Sequence, residues 1–460
     1  MNLWILTEER PKIEMLRHIL NKFSTDRGFA SFIDNLRILP VLSDGKFSFT
    51  YELIGVRCNK VNKIFIKTVS GYSSFVDFLV FFQDKEPTVK DTPLYAIEET
   101  KTDDSESRNT GVFQRCSKFV FSQYYYPNVK MIMLYNLQIE QKKKPTDTNI
   151  FGTRLLLTFG VEILGKKLDP KIFIPFSPIK EIIDFKKQMR IAPKGNVPID
   201  ITQKTDIIEI SGRLVKSDSL SHDPNIGALS IISAIFRKLG WKNKITITKH
   251  GLKQKHLKGS NKFILIANKL NIGLKGLSVP KAELKTEYWH YDREGEKLGT
   301  IFIHIVVESF TKGYSIFENH AGSEKGYFIT AYGEYIPLAK YEDRNKYKAG
   351  DKNKIIHIPD LILIDFGRSE VINIEGKKYQ FRKQGIKELK NYNFIEKNYV
   401  KKYYPKFEII KTVVLYGSKE KEIIEIEEGF LLNEDGNLIL GVKAPALFKQ
   451  AINNLLDFWS

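Results

Sequence analysis

The chain has 460 residues, 42% apolar and 12% aromatic, which is enough for two or three cored domains and argues against a disordered chain. Lys and Arg number 72 against 54 acidic residues, a formal charge of +18 that favours a polyanionic partner, nucleic acid before an anionic membrane. A codon bias towards Lys, in keeping with the abundant Ile and Asn, is the competing explanation. Only Cys58 and Cys116 are present, which excludes a disulfide framework and a four-cysteine zinc site. Residues 1–10 meet acidic side chains too early for a signal peptide, and no apolar run reaches membrane-spanning length. A soluble intracellular protein is expected.

In chain order, residues 11–23 place Ile13, Leu16, Ile19 and Leu20 at helical spacing, and residues 47–56 and 63–69 predict strands. Asp77 then opens an apolar run over 78–82, and a second run, 94–97, leads to Glu99-Thr100-Lys101. Residues 105–121 turn from polar to apolar and predict a helix beside that strand. It precedes Tyr125-Tyr126-Pro127 and an apolar run, 131–135, that closes in Leu-Tyr. Residues 155–164 and 172–175 predict further strands. Asp223 and Pro224 open a helix whose stripe, Ile226, Leu229, Ile232, Ile235, Phe236 and Leu239, stops at Gly240.

A basic tract follows, with Lys242, Lys244, Lys249, His250, Lys253 and Lys255 at its centre. Clustered cations on one side suit phosphate neutralisation; the alternative is an α/β connector with a solvated lysine face. Residues 301–307 and 361–366 predict strands, the second led by Pro359-Asp360, and residues 371–374 run into Glu375-Gly376-Lys377. Residues 388–402 predict a helix before Tyr403-Tyr404-Pro405, and residues 409–416 form an apolar run ending in Leu-Tyr. Residues 445–459 predict a packed terminal helix. The boundaries expected from this reading are 1–185, 186–300 and 301–460, with an α/β fold at both ends.

Carboxylate, carboxylate, lysine and the later landmarks therefore occur twice in one order. Residues two apart on a strand share a face, so Glu99 projects with Lys101 and Glu375 with Lys377. Strand pairing could bring Asp77 and Asp360 to them. Two carboxylates suit Mg²⁺, which takes a couple of such ligands with water and phosphate oxygens. The lysine could orient or deprotonate an attacking water and offset charge in the transition state of phosphodiester hydrolysis. Glu-x-Lys alone is unspecific here, since Glu140-Gln141-Lys142, Glu283-Leu284-Lys285 and Glu388-Leu389-Lys390 also match. The Asp-led apolar run ahead of it makes the signal.

On these residues both copies resemble the PD-(D/E)XK nuclease superfamily, which includes most type II restriction endonucleases. The second copy, with Pro359, is the closer match; the first has Val76 in the proline's place. The resemblance covers two short blocks. It implies two restriction-endonuclease-like domains, each a mixed sheet flanked by helices, around a basic α/β middle region. It implies two catalytic sets, Asp77, Glu99 and Lys101, and Asp360, Glu375 and Lys377. Their four carboxylates would bind Mg²⁺, for which Mn²⁺ substitutes. Glu52, Gln114, Glu318 and Gln384 are candidate accessory residues, and the basic tract is the candidate DNA contact. The implied activity is sequence-specific cleavage of double-stranded DNA, each site cutting one strand of an asymmetric sequence. The enzyme would be a monomer or homodimer in the bacterial or archaeal cytoplasm, with a cognate DNA methyltransferase and no membrane partner. Three alternatives stay open: a homodimer with one degenerate copy, a repair or recombination nuclease, and a non-catalytic DNA-binding protein.

Overall fold

The computed structural model describes residues 1–43, 46–71, 75–100, 111–135, 145–189, 199–212, 223–258, 261–283, 287–292, 295–320, 322, 325–339, 356–417, 430–432, 438–440 and 444–460. The first elements are β1 (Asn2–Thr7), α1 (Ile13–Arg27), β2 (Ser31–Ser43), β3 (Lys46–Cys58), β4 (Ile64–Gly71), β5 (Phe78–Gln83) and β6 (Tyr95–Thr100). Next come α2 (Gly111–Tyr125), β7 (Lys130–Tyr135), α3 (Asp147–Phe159), β8 (Glu162–Leu164), α4 (Ile179–Gln188), β9 (Asp200–Gln203) and β10 (Ile207–Ser211). Then follow α5 (Asp223–Lys238), β11 (Lys244–Thr248), α6 (Gln254–Leu257), α7 (Asn261–Leu270), β12 (Ile272–Leu274) and β13 (Trp289–Tyr291). The last stretch holds α8 (Glu296–Phe310), β14 (Tyr314–Glu318), β15 (Lys325–Ile329), β16 (Tyr335–Ala339), β17 (Leu361–Asp365) and β18 (Glu370–Lys378). After short helical turns between Tyr379 and Tyr403 it closes with β19 (Glu408–Tyr416), β20 (Phe430–Leu432), β21 (Leu438–Leu440) and α9 (Ala446–Trp459).

This is a mixed α/β protein with several sheets, and among the described residues no helix is long and apolar enough to cross a membrane. The chain forms two compact units, Met1–Val69 with Tyr291–Ser460, and Ser70–His290. Packing thus divides the chain elsewhere than at 185 and 300. Residues 1–69 belong with the second Asp-led motif, and the basic middle region belongs with the first.

The discontinuous unit is built on β14, β17, β18, β19, β20 and β21, in that order. β17 runs antiparallel to β14 and β18, and β19 runs parallel to β18. Ile362, Ile364 and Val371, with Phe317 of β14, bury one side of this sheet against Phe328, Ile395, Val400 and Tyr404. On the N-terminal side β1 pairs in parallel with β4, and β3 runs antiparallel to β2 and β4. Phe47 of β3 packs its ring on Phe302 of α8, which joins the two chain segments of this unit.

The Ser70–His290 unit repeats the same strand plan. β5 and β6 are antiparallel, with Phe78 opposite Ile97, and β6, β7 and β8 run parallel. Beside them lies a small sheet in the order β12, β11, β10, β9, with the first three strands parallel and α5 and α7 as the crossover helices. α5 lies directly on α2. At the crossing a Cβ on Gly227 would stand 1.5 Å from the Phe113 carbonyl oxygen, so only glycine permits this approach.

Four expected elements are corrected. Residues 155–159 form the last part of α3, whose start is capped by the Thr146 hydroxyl accepting from the Asn149 N–H at 3.3 Å, and only 162–164, as β8, are extended. Residues 301–307 lie in α8, and residues 172–175 join no strand. α8 is buried all round from Leu298 to Val307, and a short run of buried apolar residues carries no period that separates helix from strand. The helix expected over 388–402 is broken into 3₁₀, α and π turns.

Candidate active site

Asp360 precedes β17, and its Oδ2 accepts the Gly376 N–H of β18 at 2.8 Å. The register that sets Leu361 against Ile374 brings Glu375 next to it. Glu375 is 5% exposed, so its charge meets little water. Its Oε1 accepts from Lys377 Nζ at 2.5 Å, and Tyr392 donates its hydroxyl to Oε2. Lys377 also reaches Glu388 Oε2 at 3.0 Å and Glu296 Oε2, at the start of α8, at 3.8 Å. The sheet can lie this close to α8 because residue 376 has no side chain: a Cβ there would stand 2.7 Å from Thr300 Cγ2.

Burial pushes Asp360 up to about 6, against the Gly376 N–H and the Lys377 charge, which pull it down. Burial likewise pushes Glu375 up to about 8, reinforced by the Asp360 charge and a hydrogen bond to Glu388. That bond holds Glu388 down, against its own partial burial. Burial would lower Lys377, but its carboxylate partners hold it well above the usual lysine range. A buried and a partly exposed carboxylate that repel each other, with oxygen donors alone, fit a hard divalent cation, which would relieve the repulsion and prefers such donors. Asp360 and Glu375 would hold it.

The first copy has the same plan with a shifted residue. Asp77 Oδ2 accepts the Glu99 N–H at 2.7 Å, as Asp360 accepts that of Gly376. Ile97 stands opposite Phe78 as Ile374 stands opposite Leu361, so Glu98 is the counterpart of Glu375 and Thr100 that of Lys377. Alternation along β6 sends Glu99 to the other face from Glu98. Lys101 lies outside the described residues. Among the described residues a cation reaches this pair from α2: Lys118 Nζ stands 3.2 Å from Asp77 Oδ1 and 2.8 Å from Glu98 Oε1. Arg115 Nε donates to the Glu99 carbonyl at 3.1 Å and lies 3.6 Å from Glu98.

Burial, with the Asp77 charge, pushes Glu98 up to about 8 against Lys118 and Arg115. Burial would lower Lys118, but Asp77 and Glu98 hold it above the usual range. Asp77 and Glu98 are again a carboxylate pair, and here an ammonium already bridges them. The motif residues Glu98 and Lys118 escape a search for Glu-x-Lys. A strict alignment of Ile97 with Ile374 finds Glu98, and Lys118 falls at helical spacing from Gln114, one turn away on α2.

The accessory candidates fare differently. Gln384 donates to Glu388 Oε1 at 2.8 Å and so holds a partner of Lys377. Gln114 is half-buried on the α2 face that carries Lys118. Glu52 pairs with Lys63 at 3.0 Å and belongs to the unit that lacks Asp77. Glu318 sits beside His304 and Arg10, while Glu296 takes the place on a helix near the second carboxylate pair.

In the basic tract Lys242, Lys244, Lys249, Lys253 and Lys255 are exposed. They form two groups: β11 separates Lys242 and Lys244 from the rest, and its five residues span about 16 Å. His250 is engaged by backbone, accepting from the Leu252 N–H of its own loop at 3.1 Å and meeting the Lys275 carbonyl, just past β12, at 3.0 Å. Lys249, Lys253 and Lys255 lie beyond the carboxyl end of β11, the edge where parallel α/β sheets take ligands. Comparison with family models, with curated proteins and with solved structures gives no match for this chain.

Proposed function

We propose that the protein is a Mg²⁺-dependent endodeoxyribonuclease of the restriction-endonuclease kind, with two non-identical sites that each cut one strand of a duplex. The observation that carries this reading is a pair of mutually repelling carboxylates, a buried glutamate and a partly exposed aspartate, beside a lysine and built twice on one strand plan: Asp360, Glu375 and Lys377, and Asp77, Glu98 and Lys118. When bound, Mg²⁺ supplies the positive charge that polarises a phosphate oxygen and acidifies water. Asp360 and Glu375 bind and fix the cation. Lys377, held between Glu375, Glu388 and Glu296, sits where it can orient a water and offset charge on the phosphate. The exposed lysines beyond β11 supply phosphate contacts that position a duplex. An asymmetric recognition sequence suits two different sites in one chain, and a methyltransferase would protect the host's own copies.

A second reading has its own observation. Lys118 bridges Asp77 and Glu98 where a metal ion would sit, which favours a first copy that binds DNA without cutting, and a homodimer for double-strand breaks. Incubation with supercoiled plasmid in Mg²⁺ and in EDTA tests the proposal. Discrete linear products in Mg²⁺, none in EDTA and none from Glu375→Ala support it. Absence of Mg²⁺-dependent cleavage of plasmid, flap or junction DNA by pure folded protein removes it. Cutting confined to flaps or junctions moves the reading to repair.

A further inference from the structure

One face of α8 carries Glu296, Thr300, His304 and Glu308 at a spacing of four, a polar stripe within an otherwise apolar helix. Its middle holds a cluster the nuclease reading does not use. Among the described residues, His304, Glu318 and His320 present ligand atoms that all lie within 4.8 Å of one another. His304 Nδ1 and His320 Nε2 face each other at 2.9 Å, and Glu318 Oε2 lies 3.7 Å from His304 Nδ1. His304 is fully buried and His320 is 8% exposed.

The outer partners decide where the ring hydrogens sit. His304 Nε2 faces the Glu308 carboxylate at 3.0 Å and therefore donates to it. Thr300 donates its hydroxyl to the Lys297 carbonyl at 3.0 Å, so towards His320 Nδ1, also at 3.0 Å, it offers a lone pair. His320 thus carries its hydrogen on Nδ1. Both inner nitrogens then point lone pairs at each other, and a cation must be shared between them: a proton or a metal ion.

We propose that His304 Nδ1, His320 Nε2 and Glu318 Oε2 form a transition-metal site, best suited to Zn²⁺. Two imidazoles and one carboxylate with a remaining open position are a common zinc donor set, and each histidine has its other nitrogen held by an oxygen, as metal-bound histidines do. Tetrahedral Zn–N bonds of about 2.0–2.1 Å set ligand nitrogens about 3.3 Å apart, so the pair need open only by a few tenths of an ångström. Arg10 and Lys12 lie 3.6 and 3.8 Å from the Glu318 oxygens, and Glu308 also pairs with Arg10. The local carboxylates are therefore already balanced, so affinity rests on the nitrogens. That excludes Mg²⁺ and Ca²⁺ and favours Zn²⁺ or Co²⁺.

The test is titration of chelator-treated full-length protein with Co²⁺, followed by its visible absorption, and competition with Zn²⁺ and with Mg²⁺. The expected result is one equivalent of Co²⁺ with nitrogen-ligand bands, displaced by Zn²⁺ and untouched by Mg²⁺. Glu375→Ala keeps the bands, which separates this site from the carboxylate pair and from the nuclease reading. His320→Gln, and the milder Glu318→Gln should His320→Gln fail to fold, weaken binding about 100-fold. No bands in the folded wild type, or bands of equal affinity in the folded variants, overturn the site and leave a shared proton between the rings.

Discussion

Lys118 is the residue on which the first carboxylate pair depends. Its ammonium bridges Asp77 and Glu98 from a partly exposed position on α2. Lys118→Ala leaves two facing carboxylates without their shared cation. The expected loss is about 2 kcal/mol in metal-free buffer, below the ~3–5 kcal/mol of a fully buried pair because water reaches the site. Denaturant unfolding measures it, and Mg²⁺ should restore more stability to this variant than to the wild type. At the second pair the folded-state values of Asp360 and Glu375 lie above their ordinary 3.8 and 4.5. Such groups contribute stability fully below the ordinary values, and that contribution disappears as pH rises through about 6 and about 8. The metal needs the ionised carboxylates, so Mg²⁺ should raise the Tm more at pH 8 than at pH 5. Thermal unfolding in EDTA and in Mg²⁺ at both pH values checks this, and a larger rise at pH 5 would contradict it. Asp360, Glu375 and Lys377 were legible because strand, carboxylate and lysine are contiguous in sequence. Glu98 was hidden beside a second glutamate that completes a Glu-x-Lys with Lys101, and Lys118 arrives from a helix at no fixed offset from the strand.

Among the elements, those with a clear period or cap were readable: α1, α5 and α9 by apolar spacing, β17 and β18 by short runs between turn residues. α3 and α8 were misread because their apolar residues surround the helix, and α8 hides its polar stripe at intervals of four among Ile, Val and Phe. That stripe holds Glu296 beside Lys377, so the error in one element concealed a neighbour of the site. The α2–α5 crossing is a contact no local pattern announces. It tolerates no side chain at position 227, where a Cβ would meet the Phe113 backbone oxygen. Gly227→Ala is expected to cost about 3 kcal/mol, the upper part of the overpacking range, because backbone must move. A denaturant midpoint unchanged from wild type would show the crossing to be looser.

For the whole molecule, the least readable feature is the return of the chain's start to its end. Arg10 pairs with Glu308, and Phe47 packs on Phe302, contacts that span most of the sequence and leave no local trace. A fragment of residues 301–460, the domain expected from sequence, therefore lacks β1 to β4, α1 and the first turn of α8. It should lack cooperative thermal unfolding by circular dichroism, whereas the full chain unfolds cooperatively; a cooperative transition in the fragment would contradict the discontinuous unit.

The central claim is that one chain carries two working phosphodiesterase sites, the first built on Glu98 and Lys118 in place of a contiguous Glu-x-Lys. Strand-resolved mapping of the products that Glu98→Ala and Glu375→Ala make from cleavable duplex in Mg²⁺ tests it most directly. The account predicts that each variant nicks only, on opposite strands, with the silenced strand slowed on the order of 100-fold or more. If Glu375→Ala abolishes cutting of both strands and Glu98→Ala leaves both intact, the first copy is not a catalytic site.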